Sequence, residues 1–242
     1  MTLPDLTRFD AVLFDLDGVI TPTAEVHRHA WRAMFEEVFA QRAIEPPYAE
    51  GDYFAHLDGK KRYDGVAALL ASRGVELPWG EPDDGPDAET ICGIGNRKNA
   101  VFERILAEEG IAPYPGTIAV IDALDAAGVP SAVVSSSKNA ESVLAAAGIR
   151  GRFAVVMDGV VAERDELPSK PAPDVFVEAA RMLGVEPARS AAVEDALSGV
   201  ESAAGGGFGL VVGVDRGAGR EALTAAGADV VVADLAEFVA VG

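Results

Sequence analysis

Two aspartates stand one residue apart in "AVLFDLDGVITPT", Ala11–Thr23, where a short apolar run ends in Asp15 and Asp17. Carboxylates this close repel, and one of them gains affinity for a proton. A divalent cation between them, or a retained proton, makes the pair tolerable. Either outcome has chemical use. A metal-held carboxylate attacks phosphorus, and a protonated one hands its proton to a departing oxygen. Taken alone, Asp-x-Asp-Gly is also good turn chemistry, with Gly18 free to take unusual backbone angles.

Four further stretches bear on the choice. In "VVSSSKNAES", Val133–Ser142, a strand ends in three hydroxyls, Ser135, Ser136 and Ser137, followed by Lys138 and a helix starting near Asn139. Hydroxyls and free N–H groups at a helix start bind anions, although a serine or Asn139 also serves as an ordinary cap. In "ELPSKPAPD", Glu166–Asp174, Lys170 lies between prolines that fix the direction of its side chain. In "AAVEDALSG", Ala191–Gly199, a second apolar strand ends in two acids, Glu194 and Asp195, which alone would read as a charged helix cap. Finally, His27, Arg62 and "NRKN" (Asn96–Asn99, with Lys98) bring cations to the middle of the chain; Arg97 reads as surface charge.

The elements that must position these groups are legible from pattern. Apolar, β-branched runs at Val12–Phe14, Val129–Val134, Phe153–Met157, Ala191–Val193, Leu210–Val214 and Val230–Val232 lack alternation, as expected of parallel strands covered on both faces. A recurring phrase, helix then Gly then an apolar residue, closes helices at "SRGV" (Val75), "EEGI" (Ile111), "AAGV" (Val129), "AAGI" (Ile149), "MLGV" (Val185) and "AAGA" (Ala228). Strand and helix alternate from Gly116 onward, which implies an α/β fold. From Ala24 to about Gly110 there are helices and no convincing strand, with a Pro, Gly and acid-rich loop at 78–90. Hinge-like stretches at Thr21–Thr23 and Pro113–Thr117 bracket that region. The expected organisation is an α/β core from 1–21 and 113–242 with a helical cap inserted at 22–112.

The chain has 242 residues, is 49% hydrophobic and carries a formal net charge of −19. Phosphate backbones reward basic patches, so nucleic acid and anionic membranes are not expected partners. No apolar run reaches a membrane span, and the start has neither the basic flank nor the apolar stretch of a secretion signal, so a cytoplasmic protein is expected. Neither a heptad pattern nor an apolar surface stripe appears, and a monomer is expected. The single cysteine, Cys92, excludes an internal disulfide and is given no role. An anionic substrate would need local cations to overcome the overall field.

Asp15-x-Asp17-Gly18-Val19-Ile20, the Ser135–Lys138 strand end, Lys170 in "SKPAPD" and Glu194-Asp195 resemble, in order, the four motifs of the haloacid dehalogenase-like superfamily. "DGVITPTAEVHRHAW", "SKPAPDVF" and "VEDALSGV" are most similar to its β-phosphoglucomutase-like branch. The resemblance implies a Rossmann-like parallel-sheet core with an inserted helical cap. It implies Asp15 as nucleophile forming an aspartyl phosphate, and Asp17 as general acid and then base. Ser135 and Lys170 hold the transferring phosphoryl group, with Ser136, Ser137 and Lys138 nearby. It implies Mg²⁺ held by Asp15, the carbonyl of Asp17, Glu194 and Asp195. His27, Arg62, Lys98 and Asn99 match positions that handle a small phosphorylated metabolite. Two departures stand out: Pro22 where the branch often has an acid, and Asp58 where mutases carry a lysine for the distal phosphate.

Asp58 tilts the expectation toward a phosphatase of small sugar phosphates, with a phosphomutase as the alternative. A phospho-accepting receiver domain shares the acidic cluster and the lysine, but is about half as long and has no place for the cap. A nucleotide-binding Rossmann domain is weaker still, because "GGGFG" (Gly205–Gly209) precedes a strand instead of following one.

Overall fold

The computed structural model describes residues 3–57 and 62–239; Asp58 therefore lies outside the described residues. The chain divides into two compact units: Met1–Thr23 with Ile111–Gly242, and Ala24–Gly110. No described helix is long and apolar enough to cross a membrane.

Among the described residues, the first unit holds six strands: β1 (Val12–Phe14), β2 (Ser131–Val134), β3 (Val155–Met157), β4 (Ala191–Glu194), β5 (Leu210–Val214) and β6 (Val230–Val232). Every pairing is parallel, in the order β3-β2-β1-β4-β5-β6. Each strand residue is buried, which explains the missing alternation. In chain order the helices are α1 (Thr23–Arg42), α2 (Glu50–Asp52), α3 (Arg62–Ser72), α4 (Ile91–Glu109), α5 (Pro115–Ala127), α6 (Ala140–Ala146), α7 (Gly159–Arg164), α8 (Asp174–Leu183), α9 (Leu197–Gly205) and α10 (Arg220–Ala226). Val175, Phe176 and Ala179 of α8, Val200 and Ala203 of α9 and Leu223 of α10 join Leu13, Val134 and Val211 in one apolar cluster on a face of the sheet.

The second unit is helical, with no strand among its described residues. Trp31, Met34, Phe35 and Phe39 of α1 and Val66, Leu69 and Leu70 of α3 are buried with Ile94, Phe102 and Leu106 of α4. Their spacing is the i, i+3, i+4 stripe of a helix with one covered face. The 78–90 stretch has no regular structure, yet is tied down: Asn96 donates to the carbonyls of Pro82 and Asp84, and Arg97 to that of Pro86. Arg97 is thus packed against this loop and is not a free surface charge.

All six glycines of the recurring phrase have positive φ, as the helix-closing reading requires. Three boundaries differ from pattern. Val129 is left out of β2, because its N–H is spent on the carbonyl of Leu124 in closing α5. Phe153 closes a 3₁₀ turn and does not enter β3. Pro115–Thr117, read from sequence as part of a hinge, form the first turn of α5, where a proline's missing N–H costs nothing.

Candidate active site

Parallel register brings the reactive groups to one edge. Phe14 pairs with Val133 on one side and Val193 on the other. Asp15, one residue past β1, therefore stands level with the end of β2 and with Glu194 at the end of β4; its N–H donates to the carbonyl of Val193 at 2.9 Å. The strand order reverses at β1, and the carboxyl ends beside such a reversal are where open α/β sheets bind ligands.

Lys170 reaches this edge from the loop before α8. Its Nζ lies 2.6 Å from Asp15 Oδ1, 2.7 Å from Glu194 Oε1 and 3.0 Å from the carbonyl of Val134. Three adjacent strands are thus tied to one ammonium, whose side chain is only 7% exposed. The ring of Phe176 lies 5.0 Å beneath it. Burial disfavours the charge of Lys170, but Asp15 and Glu194 outweigh burial and push its pKa above the usual lysine range. The other Glu194 oxygen, Oε2, accepts from the N–H groups of Asp195 and Ala196, both at 2.8 Å. A Cβ at Gly199 would overlap this carboxylate, so only glycine there leaves it room.

Asp15, Glu194 and Asp195 each offer an oxygen, all within 4.8 Å of one another. Against three carboxylates stands the single lysine. Burial drives the Asp15 pKa well above the usual range; Lys170 opposes this, and Glu194, Asp17 and Asp195 add to it. Asp195 is pushed up to about 7, first by burial, then by the charges of Glu194 and Asp17. A crowded all-oxygen donor set with surplus negative charge fits a hard divalent cation.

Asp17 lies in a tight turn. The N–H of Gly18 donates to the Thr21 carbonyl at 2.8 Å, and the N–H groups of Ile20 and Thr21 return to Leu16 at 2.9 and 3.0 Å. The Thr23 hydroxyl hydrogen-bonds to Asp17 Oδ1. On the β2 side, Ser135 is buried, with its Oγ accepting from the N–H of Ser137 at 3.1 Å. Ser137 Oγ accepts from the N–H of Asn139 at 3.1 Å, which orders the approach to α6 without capping its first turn. Lys138 is not brought to the acidic cluster: its ammonium pairs with Glu163 at 2.6 Å on the surface. Ser136 is exposed.

In the second unit, Lys98 Nζ lies 2.6 Å from His27 Nδ1 and sits 5.2 and 5.0 Å from the ring centroids of Trp31 and Phe102. Burial, then Lys98 and Arg62, depress the His27 pKa to about 3. The imidazole is therefore neutral, and its Nδ1 accepts from the ammonium. Lys98 is only 4% exposed. Arg62 Nη2 donates to Asn99 Oδ1 at 2.9 Å, and both side chains are partly exposed.

Sequence reading passed over three contributors. Thr23 was within the first motif but drew no role. Gly199 looked like an ordinary helix residue. Arg216 follows Asp215 at the end of β5, and that strand-end position at the same sheet edge was the signal available.

A family model described as haloacid dehalogenase-like hydrolase matches residues 9–207. A β-phosphoglucomutase of Mycobacterium bovis is 46% identical over 246 residues, covering 98% of this chain and 93% of the relative. The crystal structure of Rhodobacter sphaeroides CbbY with phosphate has a TM-score of 0.72 at 30% identity, covering 95% of this chain and 96% of that one. A CbbY variant bound to xylulose-1,5-bisphosphate has a TM-score of 0.72 at 29% identity, with the same coverage. The ordered motifs, the parallel sheet that gathers them and these matches agree: the chain is an enzyme of the haloacid dehalogenase-like hydrolase family.

Proposed function

We propose that this enzyme carries the phosphoryl group of a small sugar phosphate on Asp15 and returns it to a hydroxyl of the sugar, as a β-phosphoglucomutase. The observation that carries phosphoryl transfer is the bridge from Lys170 to Asp15 and Glu194 at the strand-order reversal. The Asp15 carboxylate attacks phosphorus, the P–O ester bond breaks, and the leaving oxygen takes a proton from Asp17. In the second half, the accepting hydroxyl gives its proton to Asp17 and attacks the aspartyl phosphate, which breaks the bond to Asp15. Lys170 neutralises charge spread over the transferring oxygens, and Ser135 with the neighbouring N–H groups orients them. Asp15, the Asp17 carbonyl, Glu194 and Asp195 would hold Mg²⁺, which when bound screens the carboxylates from the incoming phosphate.

The full-length similarity to β-phosphoglucomutase favours a sugar hydroxyl as acceptor. Arg62 and Asn99 offer donors suited to a second phosphate, and His27, Lys98, Ser136 and Ser137 keep their proposed parts in substrate handling, whereas Lys138, paired with Glu163, takes none. Water as acceptor, hence a sugar phosphatase, is the second reading; it rests on the acid at Asp58, where a mutase would place a cation. A cytoplasmic monomer is the proposed form.

Incubation with β-glucose 1-phosphate, Mg²⁺ and a catalytic amount of glucose 1,6-bisphosphate separates the readings. Glucose 6-phosphate forming faster than free phosphate supports the mutase, and the reverse supports the phosphatase. Turnover of any phosphate ester that survives Asp15→Asn overturns both.

A further inference from the structure

We propose that Arg216 is a positioning residue for Asp17, gripping the turn that presents the general acid. The proposal rests on the reading above, in which Asp15 attacks and Asp17 protonates the leaving oxygen.

The Arg216 guanidinium meets Gly18, Tyr114, Ala233 and Asp234, all in the first unit. Nε donates to the Gly18 carbonyl at 2.8 Å. The guanidinium Cζ lies over the Tyr114 ring, 3.9 Å from the centroid. Nη1 donates to the Ala233 carbonyl at 3.3 Å and lies 3.8 Å from Asp234 Oδ2. The side chain is only 24% exposed. A guanidinium can stack through its face while donating through its edge; a lysine ammonium cannot do both.

Gly18 directly follows Asp17, and its freedom is already small. Its φ is +83°, and a Cβ there would overlap the Asp195 carboxylate. Asp195 therefore walls one side of the residue, and Arg216 fixes its carbonyl. Tyr114, stacked on Arg216, donates its N–H to the Ile20 carbonyl at 2.9 Å, inside the same turn. One cation thus holds the Asp17 turn directly at Gly18 and indirectly through Tyr114. The Thr23 hydroxyl holds the Asp17 carboxylate itself. Displacement of a catalytic group by about 1 Å costs up to about 100-fold in rate. Neither Arg216 nor Tyr114 touches the reacting atoms, so their influence must pass through where Asp17 stands.

A misplaced acid has a signature that a general loss of structure lacks. A sugar alkoxide must be protonated as it leaves, whereas 4-nitrophenolate departs without a proton. Single-turnover release of glucose from β-glucose 1-phosphate and of 4-nitrophenolate from 4-nitrophenyl phosphate should be measured in saturating Mg²⁺. Wild type, Arg216→Met, Arg216→Lys and Asp17→Asn are compared, each checked by thermal melting. We expect Arg216→Met to slow glucose release about tenfold or more, with nitrophenolate release within about threefold of wild type, since general acid catalysis contributes roughly 10²–10⁴ to such a step. Arg216→Lys falls between, and supplies the result if Arg216→Met does not fold. Equal slowing of both releases, or no slowing, while Asp17→Asn keeps the split, overturns the positioning role alone. Absence of the split in Asp17→Asn overturns the assignment of Asp17 and the proposal with it.

Discussion

Replacing Lys170 by methionine keeps the length of the side chain and removes the charge that Asp15 and Glu194 share. The two contacts, 2.6 and 2.7 Å, join side chains that are 7%, 9% and 2% exposed. At an effective dielectric constant of about 20, each contact represents roughly 6 kcal/mol of gross attraction. That gain is set against several kcal/mol of desolvation for each ion. The net effect of truncating one member of such a buried set is about 3–5 kcal/mol, because the remaining carboxylates are left uncompensated. Urea unfolding at pH 7.5 in EDTA should show that loss for Lys170→Met. Removing the Asp15 charge as well should return part of it, so Lys170→Met with Asp15→Asn is less unstable than the two single effects summed. Additivity within about 0.5 kcal/mol, or a Lys170→Met loss below about 1 kcal/mol, would show that the lysine is not the electrostatic keystone of the cluster.

Two further outcomes follow from particular contacts. Gly199→Ala places a methyl group on the Glu194 carboxylate; we expect a loss of about 1–3 kcal/mol in thermal or urea unfolding together with a weaker response of the melting temperature to Mg²⁺, and an unchanged response would mean that Glu194 adapts freely. His27 has a folded pKa of about 3 against an ordinary 6.5, so its contribution is fully present above about pH 6.5 and is lost as pH falls toward 3; by pH 5 the loss is about 2 kcal/mol, and the stability–pH curve of His27→Gln should be flatter by that amount. Parallel curves for the two proteins would place the imidazole in contact with water.

The fold was legible where backbone chemistry forces the residue type. Glycine at a helix end and unbroken β-branched runs leave little choice, and both readings carried through to left-handed glycines and an all-parallel sheet. The ends of elements were less legible, because a residue such as Val129 suits a strand by type while its N–H is already committed to Leu124. Within the site, the four motifs were legible because several titratable groups in order are rarely needed for capping alone, and Lys170 with Asp15 and Glu194 does converge. Lys138 illustrates the opposite case. It stands in the second motif, but nothing in its type says whether it faces the cluster or Glu163. Arg216 was illegible for a related reason: its role depends on a carbonyl 198 residues away, which carries no side-chain signature at all.

Charge explains why so many of these groups must be held rather than merely present. A chain of net charge −19 offers a phosphate dianion no general attraction. At the sheet edge the carboxylates of Asp15, Glu194 and Asp195, with Asp17 beside them, face the Lys170 ammonium, leaving a surplus of negative charge even where the substrate is to react. Proton uptake by Asp195, whose pKa stands at about 7, relieves part of that surplus, and a divalent cation would relieve more. The same surplus makes placement costly to relax. With few cations near, Lys170 cannot shift toward solvent without abandoning Asp15 or Glu194. The Asp17 turn has Asp195 on one side of Gly18, and the Gly18 carbonyl accepts from Arg216. The site therefore depends on rigid anchoring of its few positive groups, and residues that supply the anchoring belong to its chemistry even though they touch no reacting atom.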